Sequence, residues 1–162
     1  MKRIIIYYSY TGNTKVIANK LKEELNCDLL ELTPQTPFSD DYDEVVNEYQ
    51  NNSINNKKVP INDININLND YDEIIIGTPV WWYTISPVVT AFLKQNDLSN
   101  KKVYMYATNA GWLGHTFKDF IKLCPSGKES NCKNIVFDST DLNKLITPQK
   151  EINEWAQEIK GE

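Results

Sequence analysis

The sequence predicts an α/β domain in three layers, a doubly wound, five-stranded parallel sheet with helices packed on both faces. Three observations carry this reading. Runs such as Ile4-Ile5-Ile6 and Ile74-Ile75-Ile76 are apolar without polar alternation, as expected of strands covered on both faces. Such runs alternate with amphipathic helical stretches about five times along the chain, and right-handed crossovers then place helices on either side of one sheet. The 162 residues fit a single domain spanning 1–162, with no internal repeat.

The first strand is Ile4 to Tyr8. From Thr14 to Leu25 the apolar residues Val16, Ile17, Ala18, Leu21 and Leu25 recur at helical spacing, giving the first helix. Cys27 to Leu32 reads as the second strand, stopped by Thr33-Pro34 and Pro37. Asp40 to Tyr49 reads as an acidic helix, and Asn51 to Asn69, rich in Asn and punctuated by Pro60, as a long connection with little structure. Ile74 to Ile76 forms a third strand, ended by Gly77-Thr78-Pro79. Val88, Val89, Ala91, Phe92 and Leu93 fit a helix opened near Ser86, with Pro87 at its first position. Val103 to Ala107 is the fourth strand, His115 to Leu123 a helix with Phe117, Phe120 and Ile121 inward, and Asn134 to Phe137 the fifth strand. Thr147-Pro148 opens a final helix with Ile152, Trp155, Ala156 and Ile159 in one stripe.

Composition excludes several classes of function. A formal charge of -5 opposes general binding to nucleic acid or to an anionic membrane, since both need a basic face. The same charge suits docking on basic patches of partners, or simply solubility. No apolar run approaches the roughly 18 residues that cross a bilayer. The apolar run after Met1-Lys2-Arg3 breaks at Tyr7-Tyr8-Ser9-Tyr10 without a small-residue cleavage site, so it reads as a strand and the expected compartment is the cytoplasm. Cys27, Cys124 and Cys132 lack metal-ligand spacing; reduced thiols are the expectation, with a Cys124–Cys132 pair the alternative. His115 is the one histidine, too few for a multi-histidine metal site; at a helix start it reads as structural, with ligand contact or proton donation the alternative.

In an open parallel sheet, ligands bind beyond the carboxyl ends of the strands. Three loops there are chemically distinctive. Ser9-Tyr10-Thr11-Gly12-Asn13-Thr14 offers three hydroxyls, a glycine and the free N–H groups of a helix start, which suit one phosphate or, equally, an ordinary helix cap. It lacks the Gly-Lys-Ser/Thr ending of a triphosphate loop and the spaced glycines of a dinucleotide site. Gly77-Thr78-Pro79-Val80-Trp81-Trp82-Tyr83-Thr84 carries three consecutive aromatics, which cannot all be buried because neighbouring side chains point apart. Such a cluster suits a flat apolar ligand; a hydrophobic lid or an interface is the other reading. Thr108-Asn109-Ala110-Gly111-Trp112-Leu113-Gly114 combines small residues with hydrogen-bonding side chains, and also reads as a plain turn.

Ser9 to Thr14 resembles the phosphate loop of flavodoxins, Ser/Thr-x-Thr-Gly-Asn-Thr, and Gly77 to Trp82 resembles the Gly-x-Pro-x-Trp-Trp segment of one flavodoxin-like branch that spans short flavodoxins and oxidoreductases. Thr108 to Gly114 stands where the family's third flavin loop belongs. The resemblance implies a sheet of order 2-1-3-4-5 and flavin mononucleotide (FMN) as the cofactor. On that basis the cofactor-binding residues are Ser9, Tyr10, Thr11, Gly12, Asn13, Thr14, Pro79, Val80, Trp81, Trp82, Thr108, Asn109, Ala110, Gly111 and Gly114, with no catalytic side chain and no metal. Tyr83 departs from the branch's usual glycine, and Trp112 and Leu113 from its smaller residues. The expected function is electron transfer as a carrier, with Asp40, Asp41, Asp43, Asp70, Asp72 and Asp97 as candidates for acidic neighbours of the ring. The alternative is an NAD(P)H-dependent FMN enzyme reducing quinones or other planar acceptors. Expected partners are accordingly redox proteins, or NAD(P)H with a planar acceptor, acting on a monomer or dimer. A non-redox module that has lost its flavin is opposed by the intact phosphate loop and aromatic segment.

Overall fold

The architecture comes from a computed structural model, which describes residues 1–49 and 58–161. Among the described residues six strands and five α-helices follow in the order β1 (Arg3–Tyr7), α1 (Asn13–Leu25), β2 (Asp28–Glu31), α2 (Tyr42–Tyr49), β3 (Glu73–Trp81), β4 (Thr84–Ile85), α3 (Pro87–Gln95), β5 (Lys102–Asn109), α4 (Thr116–Leu123), β6 (Gly127–Val136) and α5 (Gln149–Ile159). Five strands run parallel in the order β2-β1-β3-β5-β6. This is the order 2-1-3-4-5 when the parallel strands alone are counted. Of the Asn-rich connection, residues 51–57 lie outside the described residues. Its described part is tied back to the segment after β2 by the Pro34–Ile61 bridge and by the N–H of Asn62 donating to the Thr33 carbonyl.

The strand pattern explains the two cores. Side chains alternate across a sheet, so an unbroken apolar strand feeds both faces. Ile4 and Ile6 of β1, Ile74 and Ile76 of β3, and Val103 and Met105 of β5 pack under Val88, Val89 and Phe92 of α3 and Phe120 of α4. Ile5, Tyr7, Ile75, Tyr104 and Tyr106 face the other way, under Ile17, Ala18 and Leu21 of α1 and Ile152, Trp155 and Ile159 of α5. Val16, expected on the inner stripe of α1, is instead exposed, because the buried face follows Thr14, Ile17, Ala18, Leu21 and Leu25.

Two strands differ from expectation. β3 does not stop at Gly77 but runs on to Trp81, pairing Thr78 with Ala107 and Pro79 with Thr108. Its ladder to β1 ends at Tyr7↔Gly77, so Pro79 has no β1 residue opposite it. A proline there removes no donor that the missing neighbour needs. β4 then pairs antiparallel with the end of β3 through Val80↔Ile85 and Trp81↔Thr84, a hairpin the sequence did not announce. β6 begins at Gly127, seven residues before the expected Asn134, and carries an irregularity between Val103↔Gly127 and Met105↔Cys132 that bulges 128–131 out of register. Its polar, non-alternating composition hid the early part. The three cysteines are free thiols.

One close contact links the sheet to the first loop. A Cβ on Gly77 would lie 2.3 Å from the Tyr106 ring. Tyr106, fully buried, reaches past this gap and donates its hydroxyl to the Thr14 carbonyl over 2.9 Å. Burial, with Tyr7 nearby, holds that phenol well above its usual pKa, so it stays a donor. Replacing Gly77→Ala overpacks this gap and is expected to lower stability by about 1–3 kcal/mol, read as a shift in the urea unfolding midpoint.

Candidate functional site

The parallel strands deliver their carboxyl ends to one edge, where the chain encloses a cavity of about 460 Å³. That volume falls within the range of small-molecule sites, roughly 300–1,000 Å³. Four loops line it, following β1, β3, β5 and β6, with Val45 of α2 closing one side. Among the described residues its wall contains no charged side chain, no cysteine and no histidine. A smaller groove of about 270 Å³, lined by Leu98, Leu123 and Pro125 among others, lies where the chain enters β5 and β6, at the opposite end of the sheet.

The first loop is built as an anion cradle. Gly12 is the N-cap of α1 at φ 104°, a conformation that favours glycine. Ser9 turns inward: its Oγ accepts from the N–H groups of Gly12 and Lys15, each over 3.2 Å. The N–H groups of Thr11, Asn13 and Thr14 have no acceptor among the described residues. Three free amides at the positive end of a 13-residue helix favour one anionic group. Thr11 and Asn13 line the cavity. Thr14 does not: its side chain is buried and its Oγ1 lies 2.7 Å from Oγ1 of Thr108. Thr14 therefore ties the first loop to the third.

The aromatic hairpin forms the broad wall. Trp82 and Tyr83, the two residues between β3 and β4, both have positive φ, 47° and 68°. A two-residue hairpin loop of this kind needs positive φ at both positions and usually recruits Asn-Gly. Bulky residues held there store about 1–2 kcal/mol each. The three aromatics divide as the alternation argument requires. Trp81 is buried, edge-on to Phe38 at 4.9 Å, Tyr10 at 5.4 Å and Tyr8 at 6.3 Å. Trp82 is half-buried and perpendicular to Trp81. Tyr83 is 52% exposed, and with Trp112 at 58% it rims the mouth.

The third loop contributes Thr108, Asn109, Ala110 and Trp112 to the lining. Its side-chain hydrogen bonds are spent internally. Thr108 meets Thr14, while Asn109 donates to Asn134 Oδ1 over 2.6 Å and accepts from the Gly111 N–H over 2.9 Å. These bonds hold the loop's shape, and Thr108 and Asn109 both line the cavity. Gly111 and Gly114 also fall outside the lining; Gly114 sits behind Tyr83, where a Cβ would lie 2.3 Å from Tyr83 Cβ. So of the expected residues the cavity gathers Tyr10, Thr11, Asn13, Pro79, Val80, Trp81, Trp82, Thr108, Asn109 and Ala110, and leaves out Ser9, Gly12, Thr14, Gly111 and Gly114. The lining also holds Val45, Tyr83, Trp112, Phe137 and Leu142, which were outside the expected set. Phe137 and Leu142 follow β6, and the strand-end rule pointed there too; Val45 carried no signal.

Two carboxylates stand beside the first loop. Tyr10 donates its hydroxyl to the Ser39 carbonyl. Its pKa is raised by burial first, then by Asp40 and Asp41, which places those carboxylates beside the first loop. Asp70, Asp72 and Asp97 instead stand where the chain enters β3 and β5; Asp72 accepts from the Lys2 N–H. They are not neighbours of the cavity. His115 contacts Asp119 and is not in the lining. Burial pushes the Cys27 thiol up to about 11, with Asp28 adding to it, and the Cys132 thiol to about 12, with Glu129 adding to it, so neither is a nucleophile at neutral pH. No cluster of metal-ligating side chains occurs among the described residues.

Comparisons with known proteins agree with this geometry. The family model described as Flavodoxin matches residues 2–159. A structure described as a flavoprotein from Bacteroides eggerthii DSM 20697 superposes with a TM-score of 0.75 at 25% identity, covering 98% of both chains. A flavoprotein from Lactobacillus acidophilus NCFM, solved in complex with FMN, gives 0.61 at 24% identity over 88% of this chain and 96% of the other. Oxidised Flavodoxin 2 from Bacillus cereus gives 0.55 at 19% identity over 98% and 94%. No curated protein matches the chain.

The two tryptophans are expected to separate in stability. Trp81→Ala empties the middle of the aromatic cluster and should cost about 3–5 kcal/mol. Trp82→Ala, on a half-exposed turn, should cost under about 1.5 kcal/mol. Thermal unfolding of both variants checks this.

Proposed function

The chain belongs to the flavodoxin family, and from that premise we propose that it holds FMN non-covalently in this cavity and serves as an electron carrier in the cytoplasm. The observation that supports this most directly is the pairing of opposite ends in one cavity. Free amides and the Thr11 hydroxyl at the start of α1 suit a single phosphate, and the tryptophan wall at the end of β3 suits a planar ring. The donor set fits the cofactor: amides and hydroxyls for a dianion, aromatic faces for the ring, backbone N–H and C=O groups for its polar edges.

When bound, FMN supplies the redox chemistry. The protein's own groups bind, orient and shield. The start of α1 fixes the phosphate, and the Thr14–Thr108 contact keeps that anchor in register with the third loop. Trp82 offers the face that packs on the ring, while buried Trp81 backs the wall. Asp40 and Asp41 lie nearby, and among the described residues no cationic side chain lines the site. That field opposes extra negative charge on the ring and lowers the potential at which it accepts electrons. In this role no side chain acts as acid, base or nucleophile. A second reading, reduction of planar acceptors at the expense of NAD(P)H, draws on the exposed aromatic rim of Tyr83 and Trp112.

The purified protein is expected to be yellow, with the absorbance bands of oxidised flavin. A colourless protein that ignores added FMN would falsify the assignment. Mixing with NADPH decides between the two roles: slow or absent bleaching agrees with a carrier, and rapid bleaching with a reductase. Thr11→Val should weaken FMN about tenfold, as loss of one charge-assisted bond implies. Trp82→Ala should weaken it by about 1–3 kcal/mol, by analogy with base–aromatic stacking. Fluorescence titration of apoprotein with FMN measures both.

A further inference from the structure

The strained Trp82-Tyr83 turn is held from outside the cavity by the start of α4. The Tyr83 carbonyl accepts from the backbone N–H of His115 over 2.8 Å. Thr84, 1% exposed, donates its hydroxyl to Oδ2 of Asp119, and the same oxygen is met by Nδ1 of His115. Gly114, at φ 59°, leaves open the space that Tyr83 occupies. Thr84, Gly114, His115 and Asp119 line none of the cavity, whereas Trp82 and Tyr83 do. Two bulky residues in the left-handed region stay there only when the surroundings over-determine them. One carboxylate oxygen gathers two of the contacts that do so.

We propose that Asp119 is a positioning residue for the cofactor pocket: through Thr84 and His115 it fixes the Trp82-Tyr83 turn so that the wall is formed before the planar ring arrives. The proposal rests on the flavin reading above. Asp119 acts as a hydrogen-bond acceptor here, not through its charge. A carboxylate in the first turn of a helix also stabilises that helix electrostatically. The two roles part at Asp119→Asn, which keeps an acceptor oxygen and loses the charge.

The test uses the full chain and four variants: Asp119→Ala, Asp119→Asn, Thr84→Val, and Thr84→Val with Asp119→Ala. FMN affinity is read by fluorescence titration, and hydrogen exchange of the His115 amide is read in the apoprotein. Asp119→Ala and Thr84→Val should each weaken FMN about tenfold, and the double variant should be no worse than either, because the two residues share one contact. Asp119→Asn should stay within about twofold of the parent, since the shared contact survives. In Asp119→Ala the His115 amide should exchange about tenfold faster, with amides of α5 unchanged, as local opening predicts. Unchanged His115 exchange overturns the staple. Faster exchange with unaltered FMN affinity overturns the positioning role while the flavin reading stands. Asp119→Asn as weak as Asp119→Ala overturns it in favour of helix charge. A parent chain that takes up no FMN overturns the flavin reading, and this role with it, whatever the exchange shows.

Discussion

The pairing of β1 with β3 is the contact on which the rest of the molecule depends. Ile4, Ile5 and Ile6 face Ile74, Ile75 and Ile76 in register, and all six are nearly or wholly inaccessible to water. Because the pair is parallel, both strands finish at the same edge of the sheet. The phosphate-type loop after Tyr7 and the aromatic extension after Gly77 are thereby brought side by side, though about seventy residues separate them. An antiparallel pairing of the same isoleucines would send the two loops to opposite ends, and no common cavity would exist.

A second layer of organisation joins these loops without touching a ligand. Tyr106 passes through the gap left by Gly77 to reach the Thr14 carbonyl, and Thr14 meets Thr108. Strands β3 and β5 are thus tied to the start of α1 by buried contacts. Hydrogen bonds sheltered from water are costly to leave unmade, so these fix the loop positions more tightly than exposed ones would. The hairpin β3–β4 receives equivalent support from α4. The cavity wall is formed by groups whose own partners lie behind it, as a site needs if it is to be organised before its ligand arrives.

The helices and parallel strands were legible in the sequence because burial writes a period into it. The stripe Ile152, Trp155, Ala156 and Ile159 marks α5, and unbroken isoleucine runs mark strands covered twice. The cavity's first and second loops were legible because their chemistry is unusual for a turn. What the sequence left open was side-chain direction. Ser9, Thr14, Thr108 and Asn109 are polar residues in the expected loops, and a sequence does not say whether a hydroxyl or amide points to the ligand or back into its own loop. Here all four point back. Likewise Trp81 and Trp82 are chemically identical neighbours, and only the packing of Phe38, Tyr8 and Tyr10 distinguishes a buried support from an available face.

By itself the sequence determined the layer architecture, the strand ends at which a ligand belongs, and the residue types gathered there. These follow from local periodicity and from the chemistry of short motifs, which neighbouring residues carry in full. The tertiary structure alone decided the hairpin with two aromatics at positive φ, the closing of the cavity by Val45, Phe137 and Leu142, and the staple from Asp119. Each of these depends on contacts between segments far apart in the chain. Whether a strained turn is stable is set by the groups that surround it rather than by its own residues, so no local pattern announces it.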